Sequence, residues 1–146
     1  MAFVFLEGLK TNRRRELIMF IKNNPNPEKK IVGDCVIRAI AILLDTTWEE
    51  VYEDICVLGR EMYDMPSSND VWSEYLFQKG YSRNIIPDTC PACYTVRRFC
   101  EDHRIGEYLL ATGTHVVTVI DGNYHDTWDS GDEVPIYYFD KRRSRE

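Results

Sequence analysis

The sequence predicts an α+β domain in which N-terminal helices pack on a C-terminal antiparallel sheet. Three observations predict it. From Cys35 to about Gln78 the apolar residues recur at helical spacing, and from Gly106 onward they are branched or aromatic and alternate with polar ones. Asp121-Gly122-Asn123 lies between two such alternating runs, which is a strong hairpin signal. Helices first and strands second is the order of segregated layers.

The elements follow in order. Residues 1–16 read as an N-terminal extension, with a short apolar strand at Phe3 to Leu6 and a basic run at Arg13-Arg14-Arg15, and residues 17–146 read as one domain. Leu17-Ile18-Met19-Phe20-Ile21 is strand-like by its branched and aromatic content, although Arg14 to Lys22 also fits a helix. Asn23-Asn24-Pro25-Asn26-Pro27 stops either element. A buried helix then starts at Cys35, with Val36, Ile40, Leu43 and Leu44 on its apolar face and Asp34 as its N-cap. Thr47-Trp48-Glu49-Glu50 is a capping box opening a second helix, Trp48 to Met62, that buries Val51, Ile55 and Leu58. Ser67-Ser68-Asn69-Asp70 opens a third, with Val71, Trp72, Tyr75 and Leu76 apolar and Gly80 as its stop. Thr95 caps a short fourth, through His103. Strands are expected at Tyr108 to Ala111, His115 to Ile120, Tyr124 onward and Ile136 to Phe139.

Composition narrows the function. At 146 residues the chain suits one domain with a substantial core. A formal charge of -6 argues against nucleic acid as a partner. No stretch approaches a membrane span, and Met1 to Leu6 is too short for a secretion signal, so a cytoplasmic protein without a membrane partner is expected. Five cysteines fit a reducing compartment, and an odd count leaves at least one thiol unpaired within the chain.

The chemistry centres on Cys35. A thiol in the first turn of a helix meets unpaired N–H groups and the positive end of the helix dipole, which favour its ionised form. A nucleophilic cysteine needs a base and the base needs an orienting group. His115 opens a strand directly after Thr112-Gly113-Thr114, and the partner strand carries Asp126 and Asp129. A turn centred on Gly122 makes cross-strand positions sum to about 244, which sets Asp129 opposite His115. Asp126 shares the face of His115 only if the turn has two residues.

Gly33-Asp34-Cys35 at a helix start, His115-Val116-Val117 at a strand start and Asp126-Thr127-Trp128-Asp129 on the next strand resemble a papain-like cysteine peptidase. The Asp-Cys pair is similar to that of the C39 bacteriocin-processing peptidases. The stretches 33–40, 63–68 and 126–131 also resemble small proteins of bacteria and their phages that share this arrangement. The resemblance implies a papain-like fold and a cysteine hydrolase, peptidase or isopeptidase-like, that acts on a protein or peptide through a thioester and needs no cofactor or metal. It makes Cys35 the nucleophile, His115 the base and Asp126 the group that orients the imidazole, with Trp128 shielding their hydrogen bond. The family's glutamine about six residues before the cysteine is missing, since Glu28-Lys29-Lys30 stands there. Asn24 or Asn26 is the substitute to examine for the oxyanion hole, beside the Cys35 N–H. The alternative is a weakly active or inactive binding protein on the same fold, such as a phage-encoded inhibitor of a host factor.

Other signals have simpler readings. Cys90, Cys93, Cys100 and His103 have zinc-compatible spacing, against an exposed Cys90/Cys93 dithiol and a core Cys100. Cys56 lies mid-helix and reads as core, Trp48 and Trp72 as packing residues, and His125 as facing solvent, away from Asp126.

Overall fold

The computed structural model describes residues 19–143. The expected strand at Phe3 to Leu6, and the whole of the proposed extension, lie outside them. Six strands and four helices are present among the described residues. In chain order they are β1 (Phe20–Lys22), α1 (Cys35–Leu44), α2 (Trp48–Glu61), α3 (Asn69–Gln78), β2 (Tyr81–Ile85), α4 (Val96–Asp102), β3 (Glu107–Ala111), β4 (Val116–Ile120), β5 (Asn123–Asp126) and β6 (Tyr137–Lys141). They form an α+β domain around one sheet of order β1-β5-β4-β3-β6-β2.

The sheet departs from a wholly C-terminal, antiparallel one at both edges. β1 joins β5 in parallel, and β2, which the sequence does not announce, pairs antiparallel with β6. Tyr81-Ser82-Arg83-Asn84-Ile85 buries only its first residue well, so its polar alternation is that of an edge strand rather than a core one.

Both faces of the sheet are covered, which explains why Leu109, Leu110 and Ala111 are all buried in succession. Leu109, Ala111, Val116 and Phe139 join Ala39, Ile40 and Leu43 of α1, and α2 and α3 extend this core with Val51, Ile55, Val71, Trp72 and Leu76. On the opposite face Leu110, Val117, Val119 and Tyr124 meet Val96, Phe99 and Cys100 of α4. Trp72 packs on Tyr137 with ring centroids 6.2 Å apart, and its indole Nε1 donates to Asn69 Oδ1 at 3.0 Å. Cys56 is half-buried rather than core. Thr118 ties β4 to α1 by donating from Oγ1 to the Ala39 carbonyl at 2.6 Å, with no exposure to water.

Local chemistry sets the element ends. Thr47 caps α2 by accepting from the Glu50 N–H at 3.2 Å, but the Glu50 carboxylate takes the Thr46 hydroxyl, so only half of the expected box forms. Ser68 caps α3, and Gly80, at φ 96°, continues the chain beyond its end as few other residues could. Asp121 and Gly122, at φ 48° and 76°, make the two-residue hairpin turn between β4 and β5 that favours Asp-Gly.

We expect Ile40→Ala, which empties a fully buried site between α1 and the sheet, to cost about 2–5 kcal/mol. Loss of the Thr47 cap in Thr47→Ala should cost about 1 kcal/mol. Urea denaturation of the two variants should preserve that order.

Candidate active site

The site forms where α1 begins, β4 begins and β5 ends. Cys35 is the first residue of α1 and is half-buried. His115 precedes β4, in a turn closed by the Thr112 hydroxyl, which accepts from the His115 N–H at 2.9 Å and the Thr114 N–H at 3.3 Å. The Thr112 N–H donates in turn to the His115 carbonyl at 2.8 Å. Small polar residues in Thr112-Gly113-Thr114 therefore fix the backbone that carries the imidazole.

The imidazole stands between a thiol and a carboxylate. His115 Nε2 lies 2.5 Å from Asp126 Oδ2, and its side chain is 11% exposed. The imidazole also interacts with the Cys35 thiol, through hydrogen bonding and charge. Asp126 is buried; Ser130 Oγ donates to its Oδ2 at 2.6 Å and the Thr127 N–H to its Oδ1 at 2.8 Å. Trp128 rests on the imidazole with ring centroids 5.1 Å apart while staying 45% exposed, so it covers one side of His115 only.

The hairpin register decides between the two aspartates. Thr118 faces His125 and Val119 faces Tyr124, so cross-strand positions sum to 243 rather than 244. Continued one step beyond the ladder, that register sets Trp128 opposite His115 and gives Asp126 the parity of His115. Asp129 lies elsewhere: it accepts from the Tyr124 hydroxyl, and its Oδ1 is 3.7 Å from Arg97. His125, expected to face solvent, is half-buried and its Nδ1 meets Asn23 Nδ2 at 3.2 Å.

Behind the carboxylate stands a cation that the sequence reading did not single out. Arg38 is buried on α1, hydrogen-bonds Asp34 through NH1, and holds NH2 3.7 Å from Asp126 Oδ1. Its signal in the sequence is a lone arginine amid Val36-Ile37 and Ala39-Ile40, four residues after an aspartate. Asp34 sits at the N-cap position of α1 but makes no side-chain cap. Its Oδ2 instead accepts from Trp48 Nε1 at 3.0 Å and Asn26 Nδ2 at 3.2 Å, so Trp48 does more than pack. Cys35, His115, Asp126, Arg38 and Asp34 thus form one continuous chain of groups whose charges alternate in sign when thiol and imidazole exchange a proton.

That electrostatic setting moves all three leading groups. Burial by itself raises the Cys35 thiol and is the largest influence. The His115 hydrogen bond and charge, the Val116 N–H and Arg38 nonetheless bring it below its ordinary value. Burial likewise disfavours the imidazolium, but its bonds to Asp126 and Cys35 and their charges lift His115 to about 9. For Asp126, burial favours the neutral acid; His115, Ser130 and the Thr127 N–H hold it below the usual carboxylate range. A thiolate–imidazolium pair of this kind can attack an electrophilic carbon and return a proton to a leaving group.

The asparagines considered for an oxyanion hole are engaged in the loop before α1. Asn26 is buried, and its Oδ1 accepts from the Glu28 N–H at 3.0 Å while Nδ2 reaches Asp34. Asn24 Oδ1 accepts from the Asn26 N–H at 3.1 Å and its Nδ2 donates to the Lys30 carbonyl at 3.2 Å. Their observed work is to shape this loop.

The four zinc-spaced residues do not converge. Cys90 and Cys93 are exposed, Cys100 is fully buried on the sheet-facing side of α4, and His103 stacks on Phe99 at 3.8 Å with Nδ1 against the Phe99 carbonyl. Among the described residues no group of three or more His, Cys, Asp or Glu side chains is arranged to hold a metal ion. Nor is any helix among them long and apolar enough to cross a membrane.

Comparison with known proteins returns no relative: no family model matches the chain, and neither a curated protein nor a solved structure matches it.

Two outcomes test the electrostatics. Arg38→Met leaves Asp34 and Asp126 buried without their shared cation and should destabilise the fold by about 3–5 kcal/mol in urea. In wild type, Cys35 should be alkylated by iodoacetamide at pH 7 faster than Cys56. His115→Ala removes the largest influences that lower the thiol and leaves only the Val116 N–H and Arg38 against burial, so that rate should fall about tenfold or more.

Proposed function

We propose that this protein is a cysteine hydrolase of papain-like architecture, a peptidase or isopeptidase-like enzyme acting on a protein or peptide. The single observation that carries the reading is the unbroken line from the Cys35 thiol through His115 to Asp126, at a helix start and a strand start. Cys35 Sγ attacks the acyl carbon, and His115 passes its proton to the leaving group as the thioester forms. His115 then activates water, which releases the acid and restores the thiol. Asp126 keeps Nε2 of the ring engaged, which leaves Nδ1 to exchange the proton with the sulfur.

Charge on the carbonyl oxygen needs donors close to Sγ. The Asp34 carboxylate does not cap α1, so the first-turn N–H groups, that of Cys35 included, remain uncapped by it. Those amides take the place of the absent glutamine in this reading. A largely apolar groove of ≈ 480 Å³ between α1 and α2 is lined by Asp34 and Val36, the sequence neighbours of Cys35, and by Val32, Ile37, Trp48 and Tyr52 among others. It suits an apolar side chain next to the reacting carbonyl. All five cysteines are unpaired, which suits action in a reducing cytoplasm.

A library of fluorogenic peptides with apolar and polar residues beside the reporter group tests this. Peptides with apolar residues should be turned over, and Cys35→Ala should abolish the signal. Asp126→Asn should lower kcat by about 10²–10⁴ without a matching rise in KM. The pH profile should rise through the lowered thiol range, below 9.0, and fall near 9 as His115 loses the proton it must donate. A peptide aldehyde that leaves Cys35 unmodified, together with no turnover across the library, would falsify the hydrolase and leave a binding protein on this fold.

A further inference from the structure

Outside the site, the most distinctive chemistry is in the loop before α4. Cys90 and Cys93 are the two exposed cysteines of the five, and their sulfurs lie 3.0 Å apart. The loop is closed on both sides by its own side chains. Asp88 Oδ1 accepts from the Cys90 N–H at 3.0 Å, and Thr89 Oγ1 accepts from the Tyr94 N–H at 2.8 Å, drawing the two flanks of Cys90-Pro91-Ala92-Cys93 together. Tyr94 is itself anchored to α4 by its hydroxyl, which donates to Asp102 Oδ2 at 2.7 Å. The two thiols are therefore held side by side in the folded protein, and closing to a disulfide bond length of about 2.05 Å needs a movement of only about 1 Å.

We propose that Cys90 and Cys93 are a reversible dithiol–disulfide site that exchanges with low-molecular-weight disulfides of the glutathione type. Cys93 is the entry sulfur, because it lines an open cleft of ≈ 600 Å³ together with Ala92, Tyr94, Arg97, Arg98 and others, and Cys90 does not. The exposed guanidinium of Arg98 lies at this cleft, paired with Glu101 at 3.4 Å and Asp102 at 3.9 Å, so a ligand carboxylate must share it with those two acids. The hydrogen bond with Cys93 is the chief influence that pushes the Cys90 thiol up, to about 11; either sulfur can donate in it, and the order of reaction follows from the cleft that reaches Cys93.

The exchange balances as follows. Cys93 thiolate attacks one sulfur of the small disulfide, the S–S bond breaks, and one thiolate leaves and takes up a proton. Cys90 then loses its proton and attacks Cys93 Sγ, expelling the second small thiol. The net reaction converts two protein thiols and one small disulfide into one protein disulfide and two small thiols, with two electrons passing to the small disulfide. Cys100, fully buried and pushed up to about 12 by burial, stands outside this chemistry.

The experiment uses the full chain carrying Cys35→Ser, so that the thiol of the candidate active site cannot report, in buffers of graded glutathione disulfide fraction. Trypsin releases residues 84–97 as one peptide between Arg83 and Arg97, with Cys90 and Cys93 as its only cysteines. The expected result is a peptide lighter by two hydrogens, carrying no glutathione, and restored by dithiothreitol. Adding Cys90→Ser should trap glutathione on Cys93, and adding Cys93→Ser should slow reaction of the loop at least about tenfold. A peptide that stays fully alkylatable in every buffer overturns the proposal, and so does stable glutathionylation of both cysteines in the intact pair. Both positions are exposed, so the serine variants should fold, and either result is independent of whether Cys35 is a nucleophile.

Discussion

A buried arginine between two buried carboxylates is the constraint on which this site depends. Arg38 joins Asp34, at the start of α1, to Asp126, at the end of β5, so one cation holds together the helix that carries Cys35 and the strand that orients His115. Charges this far from water are tolerated only when paired and hydrogen-bonded. Here Asp34 also accepts from Trp48 and Asn26, and Asp126 also accepts from Ser130 and the Thr127 N–H. The ionic groups therefore fix the separation of two elements that apolar packing alone would leave free to slide.

The same network changes what the helix start can do. An aspartate at an N-cap normally accepts from the first-turn N–H groups. Asp34 turns to Arg38 instead, and the loop of residues 23–34 follows it, with Asn26 buried and Lys29 at φ 56°. That conformation costs a side-chain-bearing residue some strain, and the Lys29 ammonium bonded to the Asn24 carbonyl at 2.7 Å helps to hold it. A first turn without its carboxylate cap is better suited to receive a developing negative charge than one already satisfied.

α4 connects the exposed dithiol loop to the segment after β5. The Val96 N–H donates to the Glu133 carbonyl at 2.9 Å and the Arg97 N–H to the Gly131 carbonyl at 3.0 Å. Gly131 follows Ser130, whose hydroxyl is bonded to Asp126, and Arg97 holds Asp129 and Asp132 on the same segment. Tyr124 and Phe99 fill the space between this helix and the sheet. The third member of the proposed triad is thus braced from both faces: by Arg38 on the α1 side, and by Ser130 in a loop that α4 holds.

Period and capping made much of the fold legible in the sequence. The helices at Cys35, Trp48, Asn69 and Val96 and the strand pair around Asp121-Gly122 follow from apolar spacing, Thr47, Ser68 and Thr95 caps, and a turn that needs positive φ. Cys35, His115 and Asp126 could be named because each sits at an element boundary or in a short motif, both visible along the chain. The edge strand β2, the parallel pairing of β1 with β5, and the hairpin register that brings Asp126 rather than Asp129 to His115 were decided by tertiary structure. A polar edge strand has no periodicity to read, and a one-residue change in register moves a carboxylate to the other face. Tertiary structure also brought Arg38 to Asp126, 88 positions away in sequence, and kept Cys100 and His103 apart from Cys90 and Cys93. Local sequence sets which groups are available, but the pairing of distant charges is settled only when burial removes the water that would otherwise solvate them.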